Sequence, residues 1–217
     1  MAATSASDLR RAHAASPGLR AIVVVCMLFW AALGISPVNR TGWFLEHTPT
    51  LIGVALLART HRTTPLSNVS YSLIGLFACL HSIGAHYGYA EVPFGHWMRD
   101  AFGLDRNHYD RVVHFAFGFL LAYPVREFLM KATSLRRAWA YYLPVEVIVA
   151  TSAIYEVLEM FVAMTIRPDM GVLYLGTQGD VWDAQKDIGM AAIGSVLMMA
   201  LVACDRKWRK RSLQAFR

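Results

Sequence analysis

RNHYDRVVHFAFGFLLAYPVREFLMK, residues 106–131, is the stretch whose reading decides the fold. It opens on a polar head from Arg106 to Arg111, continues through a long apolar run interrupted by His114, and closes on Arg126, Glu127 and Lys131. An apolar run of that length between charged ends is the pattern of a helix crossing a bilayer, whose hydrocarbon core takes roughly 20 apolar residues. Residues 112–130 are the expected span. Five more segments have the same character: 19–38, 43–58, 69–90, 141–164 and 184–204, of which the second is the shortest and most polar at its start.

The whole chain agrees with this reading. Its 217 residues are 56% hydrophobic and only 17% charged, too few polar groups to cover a water-soluble domain. Strands are excluded because lipid cannot satisfy an open sheet edge. The expected fold is therefore an all-α membrane protein, a bundle of about six transmembrane helices with both termini cytoplasmic. Residues 1–18 are expected to form a disordered cytoplasmic tail, 19–205 the transmembrane domain and 206–217 a basic cytoplasmic tail. The first span reads as a retained anchor, because residues 31–34 offer no clean small-x-small cleavage site.

Charge sets the orientation. A net charge of +6 raises the possibility of nucleic acid, but the basic residues sit in short clusters between apolar runs and form no basic face. With the N-terminus inside, 15 of the 21 Lys and Arg residues fall on the inner side. Nine of the 15 acidic residues fall on the outer side, Glu46, Glu91, Asp100, Asp105 and Asp110 among them. Cys26, Cys79 and Cys204 lie in or beside apolar segments and read as packing residues. Trp43, Trp97, Tyr87, Tyr89 and Trp182 read as interface anchors. The outer loop from 91 to 111 is expected to hold a short interfacial helix.

Ionisable side chains near hydrocarbon are costly and usually face a bundle interior or a wet cavity. Here they come in helical pairs. Asp110 and His114 are spaced i, i+4, Glu156 and Glu159 i, i+3, and Asp180, Asp183 and Asp187 i, i+3, i+7, while His81 lies two turns below the outer end of its helix. Given the alternating helix directions, all four sets reach one outer level and describe a single outward pocket. Imidazole and carboxylate groups converging at one depth suit a divalent metal, held by Asp110, His114, Glu159, Asp187 and His81. Glu156 and Asp183 are the candidate catalytic carboxylates, Glu156 as general base, and Arg111 and Lys186 are placed for an anionic headgroup. A hydrogen-bonded network with Arg111, Arg167, Lys186, Tyr87 and Tyr109, without metal, accounts for the same residues. Asp180 is expected to cap the last helix. No nucleotide, haem or flavin motif is present.

WFLEHTPTLIGVALLA from Trp43, HYGYAEVPFG from His86, RNHYDRVVHFAFGF from Arg106, YEVLEMF from Tyr155 and GTQGDVWDAQKDIG from Gly176 resemble the bacterial inner-membrane family typified by YjdF. That resemblance implies a multi-pass inner-membrane protein and no particular activity. More distantly, Asp110, Arg111, His114 and Phe115, then Glu156 and Glu159, then Asp183 and Asp187 resemble the pattern of VanZ-like proteins. Glu159 stands where that family has Gln and Asp187 where it has Asn, so this chain carries more negative charge. The resemblance implies work at the cell envelope. The expected function is an envelope protein that hydrolyses or modifies a lipid-linked substrate with the help of a divalent metal ion. Membrane lipids are then its expected partners. A small ion- or proton-coupled transporter and a non-catalytic assembly factor are the alternatives.

Overall fold

The computed structural model describes residues 17–133, 135–165 and 177–215. Arg167, the tail ahead of residue 17 and most of the glycine-punctuated segment before Thr177 lie outside them. Among the described residues the chain forms seven α-helices and no strand. In order they are α1 (Pro17–Gly34), α2 (Arg40–His61), α3 (Asn68–Tyr87), α4 (Pro93–Phe102), α5 (Tyr109–Ala132), α6 (Trp139–Thr165) and α7 (Asp183–Ala215), with a single 3-10 turn, Tyr89–Glu91, between α3 and α4.

Local chemistry explains several helix ends. Asn39 precedes α2 and its side chain accepts the Gly42 N–H at 3.0 Å. Ser67 does the same for α3, accepting the Ser70 N–H at 3.3 Å. Pro93 starts α4 and Gly103, at φ 62°, ends it in the left-handed conformation that favours glycine. This is the short helix expected between residues 91 and 111, with Phe94, Trp97 and Phe102 on its exposed surface. Asp180 differs from expectation. Its carboxylate accepts the Trp182 N–H at 3.1 Å, so it closes the turn ahead of α7, and the helix itself begins three residues later.

Among the described residues, five helices are long and apolar enough to cross a membrane: α1, α3, α5, α6 and the Asp183–Asp205 part of α7. The second expected segment forms a helix, α2, with the length of a span but not the hydropathy, because Glu46, His47, Thr48, Pro49 and Thr50 follow one another inside it. The polar pair is turned inward. Glu46 is 6% and His47 1% exposed, while Phe44, Leu51, Ile52, Val54 and Leu56 face outward. Trp43 is also inside, held between the tilted rings of Trp30 at 5.1 Å and His47 at 4.4 Å, rather than anchored at an interface. An indole on the same helix face as Glu46 and His47 shares their burial.

The centre of the bundle is the pair α5 and α7, which run parallel. A Cβ on Gly118 would meet the Ala191 carbonyl oxygen at 1.9 Å, and one on Gly194 would meet the Phe115 carbonyl oxygen at 2.3 Å. The two backbones therefore touch, the packing that small residues allow where lipid supplies no hydrophobic drive between helices. α6 closes against both, α3 packs on the other side of α5, and α1 and α2 pack on α3. Cys26 of α1 sits 2.8 Å from where a Cβ of Gly75 would be, and all three cysteines are free thiols.

Candidate functional site at the polar end of the bundle

Because α5 and α7 run parallel in contact, their first turns lie side by side, and the charges at those turns must be matched. Arg106 donates to Asp183 Oδ1 at 2.7 Å and to the Thr177 carbonyl at 2.8 Å. Arg111 donates from Nη2 to the same Oδ1 at 2.6 Å and to Asp180 Oδ2 at 3.0 Å, and from Nη1 to the Asp183 carbonyl at 2.9 Å; Nη1 also lies 3.0 Å from Asp187 Oδ1. Two guanidiniums and three carboxylates thus clamp the start of α5 to the start of α7. Lys186 completes the outer edge, 2.7 Å from Asp180. Asp180, in the turn outside the helix, is held below its ordinary 3.8 first by the Lys186 ammonium and then by the Trp182 N–H.

One turn deeper, Asp110, His114 and Asp187 bring three ligand-type atoms within 4.8 Å of one another. His114 Nε2 lies 3.5 Å from Asp110 Oδ1 and 3.3 Å from Glu156 Oε1, and its Nδ1 is 3.4 Å from Ser152 Oγ. A ring nitrogen facing two carboxylates needs a proton or a cation between them. Glu156 Oε1 and Asp187 Oδ1 are buried, and neither has an aligned hydrogen-bond donor despite its ion-pair distance. Such buried acceptors normally have partners.

The remaining expected residues fall around this centre in different ways. Glu159 is half-buried, near Glu46, Asp110 and Glu156, within reach of the Tyr155 hydroxyl. His81 is buried with both nitrogens engaged, Nδ1 on the Tyr89 hydroxyl at 2.6 Å and Nε2 on the Glu46 carbonyl at 3.0 Å. Arg111 is buried among its three acidic partners, whereas the Lys186 side chain is about half exposed. Tyr109 donates to the Leu80 carbonyl at 2.8 Å and ties α5 to α3. His86 is directed away, onto the Leu33 carbonyl at 2.7 Å.

Sequence reasoning passed over three residues that the fold brings in. Arg106 was only an outer basic residue, yet it holds Asp183. Glu46 was only an outer acid, yet its Oε2 accepts the Tyr155 hydroxyl at 2.7 Å and joins α2 to α6. His47 donates from Nδ1 to the Trp43 carbonyl at 2.8 Å and reaches Ser82 of α3 at 3.3 Å. The available signal was an acid followed by a histidine inside an apolar run, which lipid does not tolerate without partners.

Residues 18–207 match the family described as "Predicted membrane protein (DUF2238)". The chain is 36% identical over 184 residues to the inner membrane protein YjdF of Escherichia coli (strain K12), an alignment covering 84% of this chain and 86% of that protein. No solved structure matches the chain.

Proposed function

We propose, from the premise that this chain belongs to the DUF2238 family of membrane proteins, that it is an inner-membrane envelope protein holding a divalent metal ion at Asp110, His114 and Asp187. The chemistry served is hydrolysis or modification of a lipid-linked substrate. One observation carries the reading: a ring nitrogen of His114 and one oxygen each of Asp110 and Asp187 lie within 4.8 Å of one another, and Asp187 Oδ1 is buried there without an aligned donor. Metal–oxygen and metal–nitrogen bonds of about 2.1 Å put neighbouring ligands some 3.4 Å apart in tetrahedral geometry, so the three atoms need to draw in by about an ångström or somewhat more. The donor set suits zinc or manganese.

In this reading His114 Nδ1–H donates to Ser152 Oγ, 3.4 Å away, which leaves the Nε2 lone pair for the ion. A divalent ion supplies a polarised water there. Glu156, 3.3 Å from His114 Nε2, is the carboxylate that would accept the water's proton; Arg111 fixes Asp187 directly, and Arg106 and Asp183 are positioning residues that hold Arg111 and the start of α7 in place. A transporter is less well supported: beyond the trio the walls are mainly apolar, Phe77, Phe117, Leu121 and Val125 among them, and Thr50 and Thr151 add hydroxyls but no charge.

The site faces outward if α2 crosses the bilayer as a sixth span and both termini are cytoplasmic. The inner-side excess of Lys and Arg and the apolar outward face of α2 support this arrangement. Single cysteines in a background lacking the native three test it: one at Thr64 should resist a membrane-impermeant maleimide in intact cells and one at Asn39 should react. Equal labelling of both would remove α2 from the spans.

The metal is tested by elemental analysis of detergent-purified protein loaded with zinc or manganese. One ion per chain is expected for the wild type, with loss in Asp187→Asn and His114→Ala at unchanged elution volume. Absence of metal from the wild type after loading would refute the reading and leave the clamp as a packing device.

A further inference from the structure

Below the trio, a cavity of about 360 Å³ continues into the bundle. Its walls are helix faces. α2 contributes Pro49, Gly53 and Leu57, and α5 contributes Phe117, Leu121 and Val125, each set at a spacing of four. Its polar end is formed by Asp110, His114 and Tyr155. From Asp110 to Val125 the space follows α5 for about 22 Å, at 1.5 Å per residue, longer than the roughly 15 Å hydrocarbon half of a bilayer. Protein interiors carry few voids larger than a water molecule, and one with apolar walls is a site for apolar matter rather than for water.

Two further features describe what enters. Gly53 lines the space from the middle of α2, and a Cβ there would meet nothing within 4 Å. Glycine weakens a helix relative to alanine, and here it buys no close helix contact; its effect is to leave the cavity wide. Secondly, α2 packs on α3 but makes no comparable interface with α5 or α6, to which it is tied at the polar end by the Glu46–Tyr155 hydrogen bond. Thr151 and Tyr155 of α6 line the space across from α2, so the side between α2 and α6 is the least closely packed wall of the cavity. Whatever enters sideways comes from bilayer hydrocarbon, which is acyl chain.

We infer that this cavity binds one fatty-acyl chain of a membrane lipid, admitted between α2 and α6, with the lipid's polar group carried to Asp110 and His114. The inference names the substrate class of the proposed site and rests on that reading for the headgroup's destination. The chain-binding part stands on the cavity alone. An acyl lipid so held presents its ester or phosphate region to the carboxylate–histidine centre while its tail is measured by the depth of the space.

The test is native mass spectrometry of the full chain released from nanodiscs of dioleoylphosphatidylglycerol, run beside elemental analysis of the same samples. The wild type should retain one lipid per chain. Gly53→Phe fills the middle of the cavity and should lower that occupancy by roughly tenfold or more, because each methylene displaced from an apolar site weakens binding several-fold. Gly53→Phe should still carry the ion that the wild type carries and should still bind dihexanoylphosphatidylglycerol, whose short tails stop above residue 53. Asp187→Asn should show the reverse, lipid kept and ion lost. Gly53→Leu, a smaller filling, guards against misfolding of the larger variant and should give an intermediate loss. Equal dioleoyl lipid occupancy in wild type and both Gly53 variants would overturn the inference, as would a prenyl lipid from the native membrane displacing the acyl lipid from the site. Lipid retention that depends on Gly53 in a protein that takes up no metal would refute the metal reading and leave the acyl site standing.

Discussion

Replacing Gly118 by alanine adds one methyl group at the place where α5 and α7 touch. That carbon would lie 1.9 Å from the Ala191 carbonyl oxygen, 2.8 Å from its carbonyl carbon and 2.9 Å from the Ser195 nitrogen. All three are backbone atoms of α7, so no side chain can rotate away. Ordinary contact begins at 3.4 Å, and the helices must separate or slide by about 1.5 Å to restore it. Overpacking of this kind costs about 1–3 kcal/mol. For a chain of this size that is a fall in melting temperature of roughly 2–4 °C per kcal/mol. The same displacement acts on the site, because Asp187 rides on α7 while Asp110 and His114 ride on α5. Ligand atoms now within 4.8 Å would move beyond the reach of one ion. The assay is thermal unfolding of detergent-purified protein with metal content measured on the same preparation. Gly53→Ala, where a Cβ meets nothing, is the control: it should leave the metal content unchanged and should not lower the melting temperature, since alanine favours the helix. A Gly118→Ala protein with the wild-type melting temperature would refute the claim that backbone contact between these helices holds the bundle together.

Two other perturbations probe the clamp. Arg111→Met strands Asp183 and Asp187 with fewer cationic partners in a buried position and should destabilise the protein by about 3–5 kcal/mol, read by thermal unfolding; Arg111→Met with Asp183→Leu should recover part of the loss, and no recovery would contradict the pairing. Asp180 has a folded-state value depressed below 3.8, so its contribution is whole above about pH 4 and is lost as pH falls through the lower folded value. The melting temperatures of wild type and Asp180→Asn should therefore differ at pH 7 and converge in strong acid, and a difference that grows on acidification would overturn the assignment.

Much of the architecture was legible along the chain because lipid imposes a local rule. A segment that crosses hydrocarbon must be apolar and must satisfy its own backbone, so α1, α3, α5, α6 and the first part of α7 announce themselves through length and hydropathy. The short α4 was legible for a related reason, as proline and glycine mark its ends. α2 was legible as a helix but ambiguous as a span, since its burial is one-sided and hydropathy averages over both faces. The pairing of Asp110 with His114 followed from helical spacing, which is also a local property.

What tertiary structure alone decided is which of the separated pairs meet and which atoms they use. Arg106 finds Asp183 across 77 positions and Tyr155 finds Glu46 across 109, and nothing in either neighbourhood of the chain specifies those partners. The first meeting depends on Gly118 and Gly194, two ordinary-looking glycines in apolar runs whose missing Cβ atoms let the parallel helices α5 and α7 come into backbone contact. The cavity beside Gly53 is likewise a property of four helices together. Hydropathy is written residue by residue, and so the sequence by itself determined a membrane-spanning helical protein with polar groups at one end. Close packing depends on the shapes of distant surfaces, and so the clamp, the trio and the apolar space beneath it existed only once the helices were assembled.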